Sequence, residues 1–252
     1  MITKDELIQY SRMRKLKNLG QAELDYFQIL LLFILYQNYG KELIFKGGTA
    51  LQKCYGLDRF SEDLDFTTKE KIDIKKCEND LNRFKLEYEI ESKPFGSSIS
   101  FVIRIKGPLY IGTKASSCRL IIDDSVRENV LLRPEIKTIG RFLEEVPTFD
   151  VIVMQQKEIY AEKIRAIMSR DKARDVYDLW FLIKNNTEFD KLLINEKLKY
   201  YNEVWDFKNF QKMLHKKKDI WAIELKPLIQ VVPSFETVTK EIVENIKKDN
   251  HN

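Results

Sequence analysis

Leu43-Ile-Phe-Lys-Gly-Gly-Thr-Ala-Leu-Gln-Lys-Cys-Tyr-Gly-Leu-Asp-Arg-Phe-Ser-Glu-Asp-Leu-Asp-Phe66 carries the most ordered run of signals in the chain. It reads as strand, glycine turn, helix, loop, strand. Leu43, Ile44 and Phe45 make a short apolar strand. Gly47 and Gly48 lack a Cβ, so the backbone there can turn sharply and come close to a ligand. Thr49 is placed to cap the helix that follows, and that helix end presents N–H groups and a positive partial charge. Such an end binds phosphate. Asp63 and Asp65 lie two apart on the second strand and therefore share a face. Two carboxylates beside a phosphate-binding turn suit Mg²⁺, which takes a few carboxylates together with substrate phosphates.

Each piece alone is weak. A Gly-Gly pair usually marks only a turn, and Asp-x-Asp on a solvated strand edge is common. The order of the pieces is more specific. No Gly-Lys-Ser/Thr follows the glycines, which excludes a Walker loop. A calcium loop is excluded too, because its glycine and distal glutamate are missing.

The 252 residues suffice for one large domain or two small ones. A hydrophobic share of 44% with 33% charged residues is globular, which excludes a disordered chain. A net charge of +4 permits a nucleic-acid partner without arguing for one. Cys54, Cys77 and Cys118 are far apart with no metal spacing, and an odd count fits a reducing cytoplasm. His215 and His251 come late, so neither a zinc centre nor a histidine general base is expected. The N-terminus does not read as a signal peptide, and the apolar run from Ile29 to Tyr36 is too short to span a bilayer. The expectation is a soluble cytoplasmic protein without a membrane partner.

Residues 3 to 38 read as one helix, apolar on more than one side and ending near Gly40. Residues 71 to 84 read as a second amphipathic helix, Glu87 to Glu91 as a strand, and Pro94 to Ser98 as a turn. From Ser100 to Lys106 the alternation is clear: Phe101, Ile103 and Ile105 point one way, Val102, Arg104 and Lys106 the other. Cys118 to Asp124 is a further strand ending in adjacent carboxylates, Asp123 and Asp124, which must point to opposite faces. One of them can join Asp63 and Asp65 as a third acid around a metal pair; two exposed turn aspartates are the plain alternative.

Val151 to Val153 reads as a short strand. Gln155 to Ser169 and Lys172 to Ile183 read as two helices linked near Arg170-Asp171. Ile159, Glu162, Lys163 and Ala166 fall on neighbouring turns of the first; Arg174, Asp175 and Asp178 do so on the second. Ion pairing along a solvated face is the ordinary account of such charges.

Lys46-Gly-Gly-Thr49-x-Leu51 followed by Arg59-x-Ser61-Glu-Asp63-x-Asp65 resembles the polymerase-β-like nucleotidyltransferases, in particular the AbiEii/AbiGii toxin family. Glu158-Ile-Tyr-Ala-Glu-Lys163-Ile-Arg-Ala166 and Arg170-x-x-x-Arg174-Asp175-x-Tyr-Asp178-Leu179 resemble two later motifs of that family, in the same order. The resemblance runs from about residue 25 to 185. It implies an α+β fold: a nucleotidyltransferase core with a mixed sheet over residues 1–150, then a helical region over 151–252 that completes the active site. It implies transfer of a nucleoside monophosphate from an NTP by a toxin of a type IV toxin–antitoxin or abortive-infection system. In that reading Lys46, Gly47, Gly48, Thr49 and Ser61 bind the nucleotide, and Asp63 and Asp65 hold Mg²⁺. The family strand apolar-acid-x-Ser-x-Arg-Glu, matched by Ile122 to Glu128, favours Asp123 as third acid, but its middle position is commonly apolar and here is Asp124. The choice between the two stays open. Lys163 is expected on the triphosphate, with Asp175, Asp178 and Arg174 anchoring it, the acceptor or a phosphate. The implied partners are an NTP, an RNA acceptor such as tRNA, and a cognate antitoxin.

Beyond residue 186 the chain is helical. Tyr200, Tyr201, Trp205, Phe207, Phe210 and Trp221 are interleaved with Lys208, Lys212, Lys216, Lys217 and Lys218. Basic surfaces with aromatic residues suit RNA; buried aromatics under a solvated lysine face are the equal alternative. A nucleotidyltransferase acting on a small molecule or protein, and a non-catalytic nucleic-acid-binding module, are the other function classes. Intact Asp63 and Asp65 argue against the last, because clustered acids are costly to keep.

Overall fold

The computed structural model describes residues 2–96, 98–126, 129–140 and 143–250, the side chains of 95, 249 and 250 excepted. The chain divides into two compact units, the first made of Met1–Cys54, Phe60–Asn129 and Pro134–Val153, the second of Tyr55–Arg59, Val130–Arg133 and Met154–Asn252.

The first unit opens with two helices rather than one: α1 (Lys4–Met13) and α2 (Leu19–Tyr39). Thr3 and Glu6 form a reciprocal capping box at the start of α1. Lys15 takes φ 53°, a left-handed conformation that no helix propagates, and Asn18 then caps α2 through the Gln21 amide at 2.9 Å. Gly40, with φ 52°, closes α2. A short 3-10 turn, Gly40–Glu42, leads into β1 (Ile44–Lys46), followed at once by α3 (Gly47–Tyr55) and then β2 (Asp63–Thr67). The helix expected over 71–84 is shorter, a 3-10 turn at Ile74–Cys77 and α4 at Glu78–Arg83. β3 (Tyr88–Phe95) and β4 (Ser98–Ile105) form a hairpin that continues through Pro94, where a turn was expected. β5 (Cys118–Ser125), β6 (Glu135–Ile139) and β7 (Phe149–Val153) complete the unit.

These strands make one seven-stranded mixed sheet in the order β3-β4-β5-β2-β1-β7-β6, parallel at β2–β5 and β1–β7 and antiparallel elsewhere. One face is the core: Phe101, Ile122 and Leu64 line up across β4, β5 and β2, and Phe66 and Phe45 across β2 and β1, all buried. Burying each such side chain stabilises by about 1.5–3 kcal/mol. α2 packs on β5 and β7, its Tyr36 ring edge-on to Phe66.

By length and composition α2 and the turn after it, Leu19–Glu42, are apolar enough to cross a membrane, contrary to the shorter run read from the sequence. Here 72% of the apolar window is buried inside the fold, as expected of a core helix. Asp25, fully buried on α2, accepts from Tyr10 Oη at 2.5 Å and Arg14 Nε at 3.1 Å and pairs with Lys53. Burial alone would raise its carboxyl; Lys53 and Arg14 overcome this and hold it at about 2.

The second unit is helical: α5 (Gln156–Ser169), α6 (Ala173–Lys184), α7 (Lys191–Lys199), α8 (Phe207–His215), α9 (Lys218–Leu225) and α10 (Phe235–Asn250). Of its aromatic residues Tyr160, Tyr177, Phe210, Trp221 and Phe235 are buried, Trp205 and Phe207 half-buried and Tyr200 exposed. Trp205 packs on Phe189, Phe207 and Phe210, and Trp221 on Tyr177 and Phe235. Lys217 is fully buried and pairs with Asp171, while Lys218 pairs with Glu236 at 2.9 Å. Phe210 and Trp221 are thus core and Lys217 is no part of a basic surface, while Lys208, Lys212, Lys216 and Lys218 are exposed.

Candidate active site

In the first unit, β1 delivers the chain directly into α3 at Gly47. Gly47 has φ 73°, and a Cβ there would lie 2.3 Å from Asp65 Oδ2. Both the left-handed backbone and the contact require glycine. The Asp65 carboxylate therefore lies against the first turn of α3, whose N–H groups have no intrahelical acceptor. Thr49 does not cap this helix, because the helix begins two residues earlier. Its buried hydroxyl instead donates to the Asp63 carbonyl, tying α3 to β2. Gln28 Nε2 donates to the carbonyls of Ser61 and Glu62 at 2.9 and 2.8 Å, and the Ser61 amide donates to Gln52 Oε1 at 3.2 Å. Two helices thereby fix the segment that leads into Asp63.

On the sheet face opposite the core, Asp65 is in register with Lys46 of β1 on one side and Asp123 of β5 on the other. Asp63, Asp65 and Asp123 are half-buried, and Lys46 is buried. Asp124 points the other way. It is 1% exposed and accepts from Thr68 Oγ1 at 2.7 Å and the Ile72 amide at 2.9 Å. Burial pushes its carboxyl up, against the pull of those hydrogen bonds. Asp123 thus shares the face of Asp63 and Asp65, and Asp124 does not. Arg127 and Glu128 of the same motif lie outside the described residues, as does His251.

In the second unit, Lys163 of α5 is buried and bonds Asp175 at 2.9 Å and Asp178 at 2.7 Å, both from α6. Arg59 grips Asp178 with Nε and Nη2 at 2.6 and 2.7 Å, and Arg170 grips Asp175 at 2.8 and 2.9 Å. Burial would raise both carboxyls. Arg59 and Lys163 on Asp178, and Lys163 and Arg170 on Asp175, hold them well below the usual range. Lys163, Arg59 and Arg170 thus converge on these two buried carboxylates. This is not the solvated ion pairing of an ordinary helix surface. Glu162 turns instead to the buried Lys197, which also pairs with Glu158 at 2.6 Å. Arg174 is half-buried. Arg59 and Arg170 received no role from the sequence reading, although both stand inside its motifs; their partners lie 119 and 5 residues away.

A family model for the nucleotidyl transferase AbiEii toxin of type IV toxin–antitoxin systems matches residues 30–241. The chain belongs to the AbiEii nucleotidyltransferase toxin family. It is accordingly a nucleotidyltransferase, the toxin of a type IV toxin–antitoxin system. The match runs to residue 241, so the C-terminal helices, where the sequence offered no motif, belong to the family too. An uncharacterized protein of Aquifex aeolicus (strain VF5) is 26% identical over 204 residues, 80% of this chain and 77% of that one. Two solved structures share the fold. MenT4, a nucleotidyltransferase toxin of Mycobacterium tuberculosis H37Rv, superposes with a TM-score of 0.66 at 18% identity over 100% of this chain and 91% of that one. JHP933 of Helicobacter pylori gives 0.60 at 23% identity over 89% and 90%.

The AbiEii acids fit a hard cation. Among the described residues no three acidic, histidine or cysteine side chains converge as a ready-made metal cage. Mg²⁺ does not need one, since one or two carboxylates with substrate phosphates and water suffice. Asp63 and Asp65 offer that donor set beside the α3 N-terminus.

Proposed function

We propose that this AbiEii toxin transfers a nucleoside monophosphate from an NTP to a hydroxyl of an RNA, tRNA being the first acceptor to test, with Mg²⁺ as its metal. The observation that carries this reading is the row Lys46, Asp65, Asp123, with the Gly47 backbone against Asp65. Asp63 and Asp65 would hold the metal, whose chemistry there would be neutralisation of phosphate charge. The α3 N-terminus at Gly47, Gly48 and Thr49 would receive triphosphate oxygens through backbone N–H groups. The Thr49 hydroxyl, already donated to Asp63, would act only by holding the turn. Lys46 and Ser61 complete this nucleotide set. Asp123 would orient the acceptor hydroxyl or take its proton. Lys163, anchored by Asp175 and Asp178, is the proposed cation for the triphosphate, with Arg174 from the motif of those two acids as a second. Catalysis of this kind rests on positioning and charge. Three free thiols, with Cys54 and Cys77 pushed up to about 12 by burial, are consistent with action in a reducing cytoplasm. A cognate antitoxin is the expected protein partner.

The test is incubation with each α-labelled NTP in turn, Mg²⁺ and total RNA. Label in a defined RNA class supports the reading; label only on protein or a small molecule moves the acceptor to another class.

A further inference from the structure

We propose that the face of the sheet opposite the core carries, beyond the acids, a subsite for a phosphodiester of a single-stranded RNA acceptor, with Arg104 and Arg119 as its phosphate ligands. This rests on the RNA-acceptor reading above.

Four rows cross β4 and β5 on this face, the first pairing Ser98 with Ser125. Ser100 is in register with Asp123, Val102 with Ile121, and Arg104 with Arg119. Along β4 and β5 the face therefore passes from acid through apolar to basic, with Glu91 and Glu89 of β3 in register beside Val102 and Arg104. Val102 is buried and Ile121 half-buried, which gives an apolar floor between the two charged ends. Arg119 lies four residues from Asp123 on the same strand, about 13–14 Å at strand rise.

The two arginines differ from the cations around them. Lys106 pairs with Glu87 at 3.0 Å and Lys114 with Glu91 at 3.1 Å. Among the described residues neither Arg104 nor Arg119 makes an ion pair, although Glu91 is near enough to feel the charge of Arg104. Arg104 Nε is buried without a hydrogen-bond partner. A buried guanidinium N–H without an acceptor is costly, and an incoming anion would relieve it. Arg104 lines a cleft of about 200 Å³ with Tyr88, Glu89, Lys106, Tyr110 and Lys114, and the Lys106 ammonium stands over the Tyr110 ring at 5.6 Å.

A guanidinium fork matches phosphate oxygens, and tyrosine rings offer faces on which bases stack. A terminal nucleoside with its hydroxyl at the acids would lie over Ile121 and Val102. Its upstream phosphate would then reach the arginine pair.

The test measures binding of a short fluorescent single-stranded RNA to the full-length protein, without NTP, over a salt series. Arg104→Gln/Arg119→Gln should weaken binding by ~10-fold or more and lower the log–log salt slope by about 1.4, for two single-strand phosphate contacts. Arg119→Glu, at an exposed position where folding is not at stake, should weaken binding as well. NTP affinity should be unchanged in both. Wild-type RNA affinity and slope in both variants would overturn the subsite while leaving RNA labelling, and so the function above, intact. Weakened NTP binding with unchanged RNA binding would overturn it by assigning the arginines to the triphosphate. A wild-type protein that neither binds nor labels RNA would remove the acceptor reading and this subsite with it.

Discussion

Asp123 stands in register beside Asp65 across the parallel β2–β5 pair, while Asp124, one residue on, is buried on the core face. The two neighbours should respond oppositely to truncation. Asp124→Ala leaves the Thr68 hydroxyl and the Ile72 amide without their acceptor, each worth about 1–3 kcal/mol when buried. It should lower stability and leave the NTP affinity of the folded protein alone. Asp123→Ala should barely change the melting temperature and should suppress transfer. Urea unfolding and NTP titration of both variants check this.

Gly47 and Gly56 offer a controlled comparison. Both have positive φ, 73° and 80°, but only a Cβ at Gly47 meets anything, the Asp65 carboxylate. Alanine at either position should cost about 1–2 kcal/mol of backbone strain. Only Gly47→Ala should also displace Asp65 and abolish transfer. Equal activity in the two variants would deny the Gly47–Asp65 contact any role in the chemistry.

Acid should unfold the protein. Asp25, Asp175 and Asp178 are buried carboxyls held below their usual range by the cations paired with them. A depressed carboxyl contributes stability that is fully present above its unfolded value near 4 and is lost as pH falls towards the folded value. Asp124 and Glu23, raised by burial, act in the opposite sense but are fewer. Denaturation midpoints should therefore be roughly flat from pH 7 to 5 and fall steeply below about 4. Asp178→Asn, which leaves Arg59 and Lys163 short of a buried partner, should lose about 3–5 kcal/mol at pH 7 and show a weaker acid dependence.

Lys216 and Lys217 are adjacent and should behave differently. Lys217 is fully buried against Asp171, whereas Lys216 is exposed. Lys217→Gln should cost about 1–3 kcal/mol, the worth of a charged hydrogen bond left unmade. Lys216→Gln should be neutral in stability. Thermal melts of the two single variants decide this without any assumption about RNA.

Much of this architecture was legible in residues 43–66. Strand alternation put Asp63 and Asp65 on one face, and the glycines marked the turn into α3. Period-2 and helical spacing likewise placed β4, β5, α5 and α6. The rest depended on contacts distant in sequence. Adjacent Asp123 and Asp124 are equivalent until a neighbouring strand fixes which face is core. Arg59 had no role because Asp178 lies 119 residues away. β6 escaped because Glu135–Ile139 is an edge strand whose Ile136 is 63% exposed, so no buried alternation marks it. The C-terminal aromatic residues carried the composition of an RNA surface, and only packing showed Phe210 and Trp221 to be core.

The most direct measurement is transfer of label from an α-labelled NTP to RNA by Asp65→Asn beside wild type, over a Mg²⁺ titration. Asparagine keeps the shape of the side chain against Gly47 and removes only the charge proposed to hold the metal. The account predicts a normally folded variant in which transfer falls by at least ~100-fold and is not restored by excess Mg²⁺, as removal of one transition-state charge interaction commonly does. Near-wild-type transfer by folded Asp65→Asn, or wild-type transfer that persists in EDTA, would contradict it.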